Sequence, residues 1–505
     1  MEFNFSKNIS RCLFLTFLGG SDIIVTVWSD LPNQVTGENK MLLFKGKKDV
    51  DMLSGPIVKG LLTIAIPIMI MNVMQSLFNI VDMTVLKTYD TELTVGAVGT
   101  CSYIITLMTG LVVGLSSGAN VVIARYIGQG DKEKVERAIG TSLLLATVGG
   151  VALSVVGVSL AEVILTWMNC PENLLPQATL YFRLYFAGAP ILMVYNFCAS
   201  ILRSTGDSAK PMLFLTAGGI LKVIFNYIFV AKLDMTVDGV AFATIISWSV
   251  SCALGLYAII KNNSVAKVNF KKLRFYKNEL KDILVIGVPA GMQQSLYSIA
   301  NVIISSTVNT YGEYATTGIS IANTFDGILY QIVTATALAV MPYVSQNVGK
   351  GNIKRVKQTV VRGILITTAL GVVFGSLSAI FSGQLSSIMA DNPEIIKYSQ
   401  QKMVIVSSTY FICGINDIIG YSMRGMRRPL VAMITTMIYM CAFRFVWVFL
   451  IFNPLRDSLS DPLTFLYLVW PVGWTLSIAT LLCFFFPTAR KLEREAQESK
   501  KLNAN

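Results

Sequence analysis

The chain has 505 residues, 53% of them hydrophobic and only 14% charged, with a net charge of +12 and no histidine. A soluble domain carries about a quarter charged residues, so an ordinary soluble enzyme is excluded. The missing imidazole also removes the commonest general base and metal ligand.

Residues 1–51 stand apart from the rest. Leu13-Phe14-Leu15-Thr16-Phe17-Leu18 is too short to span a bilayer. It follows Lys7 and Arg11, as the core of a signal peptide would, but no small-residue cleavage site comes after it. A poorly ordered N-terminal extension is expected, with Met52 as an alternative start. From residue 60 onward, apolar runs of about 20 residues recur, each long enough to cross a membrane. They predict twelve spans: 60–84, 96–124, 138–165, 178–202, 212–231, 238–260, then 282–308, 316–345, 359–388, 398–423, 429–452 and 464–487. The fold class is an all-α multi-pass membrane protein with its core built helix against helix.

The basic residues sort by connection. With the N-terminus inside, the inner connections hold Arg125 to Arg137, Lys261 to Lys281, Lys350 to Lys357, Arg424 to Arg428 and Arg490 to Lys501. The outer ones hold Lys87, Lys232, Lys397, Lys402 and Arg456. This bias places both termini in the cytoplasm, and it assigns the positive charge to a membrane surface rather than to nucleic acid. Residues 261–281 alternate lysine with Val268, Phe270, Leu273 and Phe275, as expected of a segment lying along that surface.

The chain repeats itself. Arg125-Tyr126-Ile127-Gly128-Gln129-Gly130-Asp131 returns as Gln346-Asn347-Val348-Gly349-Lys350-Gly351-Asn352. Pro67 and Asn79 recur as Pro289 and Asn301, Asn196 and Arg203 as Asp417 and Arg424, and Lys222 as Arg444. Six spans per half, an even number, give two lobes (52–260 and 282–488) that enter the membrane in the same sense. Residues 261–281 form the linker and 489–505 the tail. Such doubling predicts a transporter whose substrate binds between the lobes, in a cleft lined by spans 1, 2, 7 and 8.

Carboxylates inside spans are costly and therefore functional candidates. Asp82 in span 1 is the first, with Asn79 and Asn196 as neighbours in an ion-coupling site. Asp417, Asp326 and Asn416 are the second-lobe polar or substrate candidates. Lys222 and Arg444 fall near mid-span, where snorkelling is hardest, and are expected to be internal charge partners. An internal salt bridge between Asp417 and Arg444 is one alternative. Pro67 and Pro289 each remove a backbone hydrogen bond early in a span and are candidate hinges. Gly110, Gly114 and Gly118 form a packing stripe on span 2. The repeated glycine motifs lack the Gly-Lys-Ser/Thr ending of a phosphate loop and are read as tight turns into the next helix. No ATP-binding motif appears, no cysteine pair has metal spacing, and neither cofactor nor metal is expected.

Met52-Leu53-Ser54-Gly55-Pro56-Ile57, the Gln75 to Asp82 stretch, Gly118 to Gly128, Leu202-Arg203-Ser204-Thr205-Gly206, Ser345 to Gly349 and Met423-Arg424-Gly425 together resemble the multidrug and toxic compound extrusion (MATE) family. The resemblance covers about residues 52–488. It implies a twelve-helix, two-lobed antiporter in the cell membrane that expels organic cations and drugs in exchange for protons or sodium. Asp82 matches the first-helix aspartate assigned to ion coupling, and Asp417 a tenth-helix aspartate used in one branch. That branch also uses a glutamate in span 7, whereas Ala290 to Val302 holds no carboxylate. The family's Val-Gly after the first-helix aspartate is replaced here by Val85-Leu86-Lys87-Thr88.

The expectation is a secondary active antiporter, not an enzyme, acting as a monomer on small amphipathic organic substrates. The alternative is a lipid-linked oligosaccharide flippase of the related superfamily. Few in-span cations are available to hold a pyrophosphate, which disfavours the flippase.

Overall fold

The computed structural model describes residues 50–89, 92–168, 170–261 and 267–502. The expected extension 1–51 lies outside them, apart from residues 50 and 51. Among the described residues the regular structure is helical, with no strand. Hydrocarbon offers the backbone no partner, so an apolar run must satisfy its own N–H and C=O groups.

The first lobe comprises α1 (Ile57–Tyr89), α2 (Glu92–Gln129), α3 (Lys132–Trp167), α4a (Leu175–Ala187), α4b (Ala189–Ser204), α5 (Ala209–Ala231) and α6 (Val237–Ile260). The second comprises α7 (Lys277–Asn309), α8 (Glu313–Gly349), α9 (Ile353–Ile380), α10a (Pro393–Ser408), α10b (Tyr410–Gly425), α11 (Pro429–Ser458) and α12 (Pro462–Glu498). Eleven of the twelve spans are long and apolar enough to cross a membrane, counting each bent pair as one. The twelfth, α7, is long enough but carries Gln293, Gln294 and Asn301. Among the described residues its most extensive packing is against α2, while Val285, Val288 and Met292 leave an apolar face exposed.

Several helices overrun the expected spans. α1 begins at Ile57 and α7 at Lys277, so the second lobe starts inside the expected linker. At about 1.5 Å per residue, helices of this length stand out beyond the hydrocarbon. Spans 4 and 10 bend by 43° and 47°. The first bend falls at Gly188, with a proline at the start of the next helix. The second falls at Thr409, whose hydroxyl donates back to the carbonyls of Ile405 and Val406 and competes with the helix ladder.

The duplicated glycine motif is a helix-to-helix turn, made twice. Gly130 and Gly351 adopt positive φ of 74° and 71°, which a β-carbon would disfavour. Asp131 then caps α3 by accepting from Lys134 N, and Asn352 caps α9 by accepting from Arg355 N. The linker is tied to α3: Asn269 donates to Glu136, Lys272 pairs with Glu136 at 3.1 Å, and Tyr276 N donates to Thr141. Phe270 and Phe275 remain exposed beside it.

At the end carrying these turns, here the basic end, one apolar core runs through both lobes, from Met52 to Ala489. Toward the other end it divides in two. One core contains only first-lobe residues such as Phe182 and Val240, and the other only second-lobe residues such as Ile304 and Trp470.

Candidate functional site: a seam that opens into a polar cleft

At the basic end the lobes meet backbone to backbone. A β-carbon on Gly114 would lie 2.1 Å from Gly291 N, and one on Gly118 2.4 Å from the Ile283 carbonyl. The expected packing stripe on α2 is therefore the surface against α7. Hydrogen bonds fasten the same half. Ser345 Oγ donates to the Val121 carbonyl at 2.5 Å, Gln346 Nε2 to the Ser204 carbonyl at 2.8 Å, and Asn347 Nδ2 to the Met52 carbonyl at 3.0 Å. Arg125 crosses from α2 to Asp282 of α7 at 2.6 Å, and Arg427 holds the other oxygen of that carboxylate at 2.8 Å.

In the other half, the helices along the seam carry exposed polar residues. These are Gln75 and Asn79 on α1, Thr106 on α2, Asn301 on α7, and Ser320 and Asn323 on α8. Ser320, Asn323 and Gly327 recur at helical spacing, so one face of α8 is wet. A β-carbon on Gly327 would meet nothing. The divided core and these faces define a cleft between the lobes, closed at the basic end.

Each lobe buries one acid–base pair beside this cleft. In the first, Lys222 Nζ of α5 donates to Asp82 Oδ2 of α1 at 2.5 Å, and Asn226 Nδ2, one turn further along α5, donates to Asp82 Oδ1 at 2.6 Å. Asn226 Oδ1 is buried without a partner. In the second, Lys402 of α10a pairs with Asp326 of α8 at 2.7 Å. Ser407 Oγ donates to the same carboxylate at 3.3 Å, and Lys402 Nζ also donates to Asn323 Oδ1.

The structure separates other residues that the sequence grouped. Asn79 is exposed on α1 and Asn196 donates to Leu192 of its own helix, so neither bonds to Asp82. Asp417 does not pair with Arg444. It accepts from Thr334 Oγ1 at 3.0 Å and, at the limit of hydrogen bonding, from Asn416 Nδ2 at 3.5 Å. Asn416 Oδ1 in turn accepts from Ser477 of α12 at 2.6 Å. Arg444 Nη1 reaches Asn301 Oδ1 at 2.6 Å instead. Lys402, counted among the outer-connection cations although it falls within the expected span 398–423, is a correction. Pro393 starts α10a behind an Asn392 cap, which carries residue 402 more than two turns into the helix, where it is 2% exposed. Pro67 and Pro289 sit within continuous helices. Sequence reading also passed over Asn226, although its four-residue spacing from Lys222 puts both on one face of α5.

The family model MatE matches residues 67–228 and again 289–450. The chain belongs to the MatE family. Its relatives include a probable multidrug resistance protein, YpnP, of Bacillus subtilis (strain 168), 25% identical over 79% of this chain and 89% of that protein. An FAD transporter of Shewanella oneidensis is 24% identical over 76% of this chain and 85% of that one. Among solved structures, an outward-facing multidrug resistance MATE transporter superposes with a TM-score of 0.82 at 21% identity, covering 89% of this chain and all of that one. The chain is thus a multi-pass membrane protein of a multidrug efflux transporter family. Its two family matches are offset by 222 residues, the same spacing that separates Pro67 from Pro289, Asn79 from Asn301 and Lys222 from Arg444.

Proposed function

We propose that this protein is a proton-coupled antiporter of the cell membrane, exporting small amphipathic organic molecules, organic cations and drugs among them, by alternating access. The basic end is placed in the cytoplasm together with both termini, because lysine and arginine concentrate there. The cleft then opens outward, and the shared core with its lobe-to-lobe hydrogen bonds seals the inner side.

The observation that carries the proton is the pair of Asp82 and Lys222. A hard metal cation needs a shell of several oxygens. Both oxygens of Asp82 already accept hydrogen bonds, and one donor is itself an ammonium. Sodium would have to displace that charge, whereas a proton needs only to neutralise the carboxylate. Protonation frees Lys222 from α1. A rotation of the Asn226 amide then presents its unpartnered Oδ1 to the new O–H, since an amide can donate or accept according to its orientation. The ties between α1 and α5 are thereby remade, giving two arrangements with different proton occupancy. Transport follows if the inward-open and outward-open states prefer different ones.

The test is efflux of a fluorescent amphipathic dye from proteoliposomes under separately imposed pH and sodium gradients. A pH gradient is expected to drive efflux and a sodium gradient at equal pH is not. Asp82→Asn should abolish the pH-driven component. Sodium-driven efflux, or full activity of Asp82→Asn, refutes the proton-coupled reading.

A further inference from the structure

Among the described residues most buried cations meet a carboxylate, and two arginines do not: Arg424 donates to the buried Gln293 amide, and Arg444 reaches the exposed Asn301. Lys222 has Asp82, Lys402 has Asp326, and Arg125 has Asp282. Arg444 is 3% exposed. Its recorded contacts are the neutral Asn301 amide at 2.6 Å and the face of Trp470, 5.4 Å from the ring centroid. Lys402 stands over the same ring at 5.2 Å, but Asp326 is its counter-ion.

The internal repeat sets Arg444 apart. At the 222-residue offset, Arg444 stands where Lys222 stands. Ile304 then takes the place of Asp82, and Val448 that of Asn226. Both are buried in the apolar core that also contains Trp470. The second lobe therefore has the cation without the acid and amide that serve it in the first. Asn301, the one hydrogen-bonding partner recorded for Arg444, is exposed on the polar face of α7 toward the cleft. The helix around Arg444 is also irregular: Met437–Ala442 and Val446–Phe452 are π-helical turns on either side of it. Such turns shift the register of side chains and recur at functional positions.

We infer that Arg444 is the anion-binding point of the cleft, and that it takes a carboxylate carried by an otherwise apolar substrate. The carboxylate would take the place of the Asn301 oxygen and supply from outside the negative charge that the second lobe lacks. A guanidinium matches a planar carboxylate through two parallel N–H donors, and that match strengthens where water is excluded. The substrates so selected are zwitterionic or anionic amphiphiles, taken alongside cations that use the remainder of the cleft. This inference rests on the export reading for its biological sense, but its binding test does not require coupled transport.

The test uses two xanthene dyes that differ only at one group, rhodamine B with a free carboxylate and its ethyl ester, binding to protein in nanodiscs at pH 7.5 by fluorescence polarisation. The wild type is expected to bind the free acid about tenfold more tightly than the ester, as one charge-assisted contact would give. Arg444→Gln should bring that ratio close to one, and Arg444→Lys should leave an intermediate ratio. Asn301→Asp, which supplies an internal acid to Arg444 and preserves the size of the side chain, should also abolish the preference. Equal affinities in the wild type, which need no variant to fold, overturn the proposal. So does an undiminished preference in monodisperse Arg444→Gln. If the preference is present but neither gradient moves either dye, the antiport reading fails and the anion point stands.

Discussion

In the first lobe a lysine on α5 reaches an aspartate on α1, and an asparagine one turn away completes the carboxylate's hydrogen bonds. At the repeat-equivalent place in the second lobe an arginine on α11 reaches an asparagine on α7, and the acid's place is apolar. The second lobe has a lysine–aspartate pair too, but between α8 and α10a, under the Trp470 ring. Gene doubling thus preserved the backbone while the polar centres diverged. One lobe holds an acid neutralised from within, and the other an arginine without a carboxylate partner. Divergence of this kind is permitted because each centre is shielded by its own half of the divided core, so a change in one lobe leaves the packing of the other in place.

The comparison is broken most strongly at the two lysines. Lys222→Ala and Lys402→Ala each strand a buried carboxylate, and each should cost about 3–5 kcal/mol, read as a fall in detergent-solubilised unfolding temperature. Replacing both partners by apolar residues removes the stranded charge. Asp82→Leu with Lys222→Met should recover most of the stability but abolish pH-driven efflux. Asp326→Leu with Lys402→Met should recover stability and retain efflux, because that pair braces α8 against α10a. Efflux lost in the second double variant would show that both lobes take part in coupling.

A smaller effect is expected at the seam that both lobes share. Gly114→Val forces a side chain against the backbone of Gly291 and should cost about 1–3 kcal/mol by overpacking. It should lower the unfolding temperature and slow transport of every dye alike, without changing the pH dependence. An altered ion preference would show that the seam sets coupling as well as packing.

The smallest effect lies where the chain enters α1. Asp51 accepts from the Ser54 hydroxyl and from the backbone N–H groups of Ser54 and Leu53, with Arg355 of the second lobe nearby. The Ser54 hydroxyl first, then the backbone donors and Arg355, hold its carboxyl below the ordinary 3.8 despite partial burial. A depressed carboxyl stabilises the fold above its unfolded-chain value and loses that contribution as pH falls through the folded value. The group is largely exposed, so the contribution should be under about 1 kcal/mol. Asp51→Asn should unfold slightly earlier than wild type at pH 7, and the gap should close as pH falls through the carboxyl's lowered folded value. A gap that persists at low pH would assign the effect to the turn geometry rather than to charge.

Sequence alone determined the membrane class, the twelve spans and the doubling, since these follow from local hydropathy and from spacing along one strand of text. It also singled out Asp82, Lys222 and Arg444, because a charge inside an apolar run stands out whatever it touches. Lys402 was counted with the outer connections although the expected span 398–423 contains it, and the Asn392 cap and Pro393 start the helix that carries it inward. Asn226 was hidden because an asparagine in a span announces nothing until the acid from another helix stands 2.6 Å away. Which charges meet is a property of helix rotation and crossing, set by contacts such as Gly114 on Gly291 that join residues far apart in the chain. Only the tertiary structure decided that Asp82 is answered from within and that Arg444 meets a neutral amide, because pairing depends on directions in space that a one-dimensional pattern does not encode.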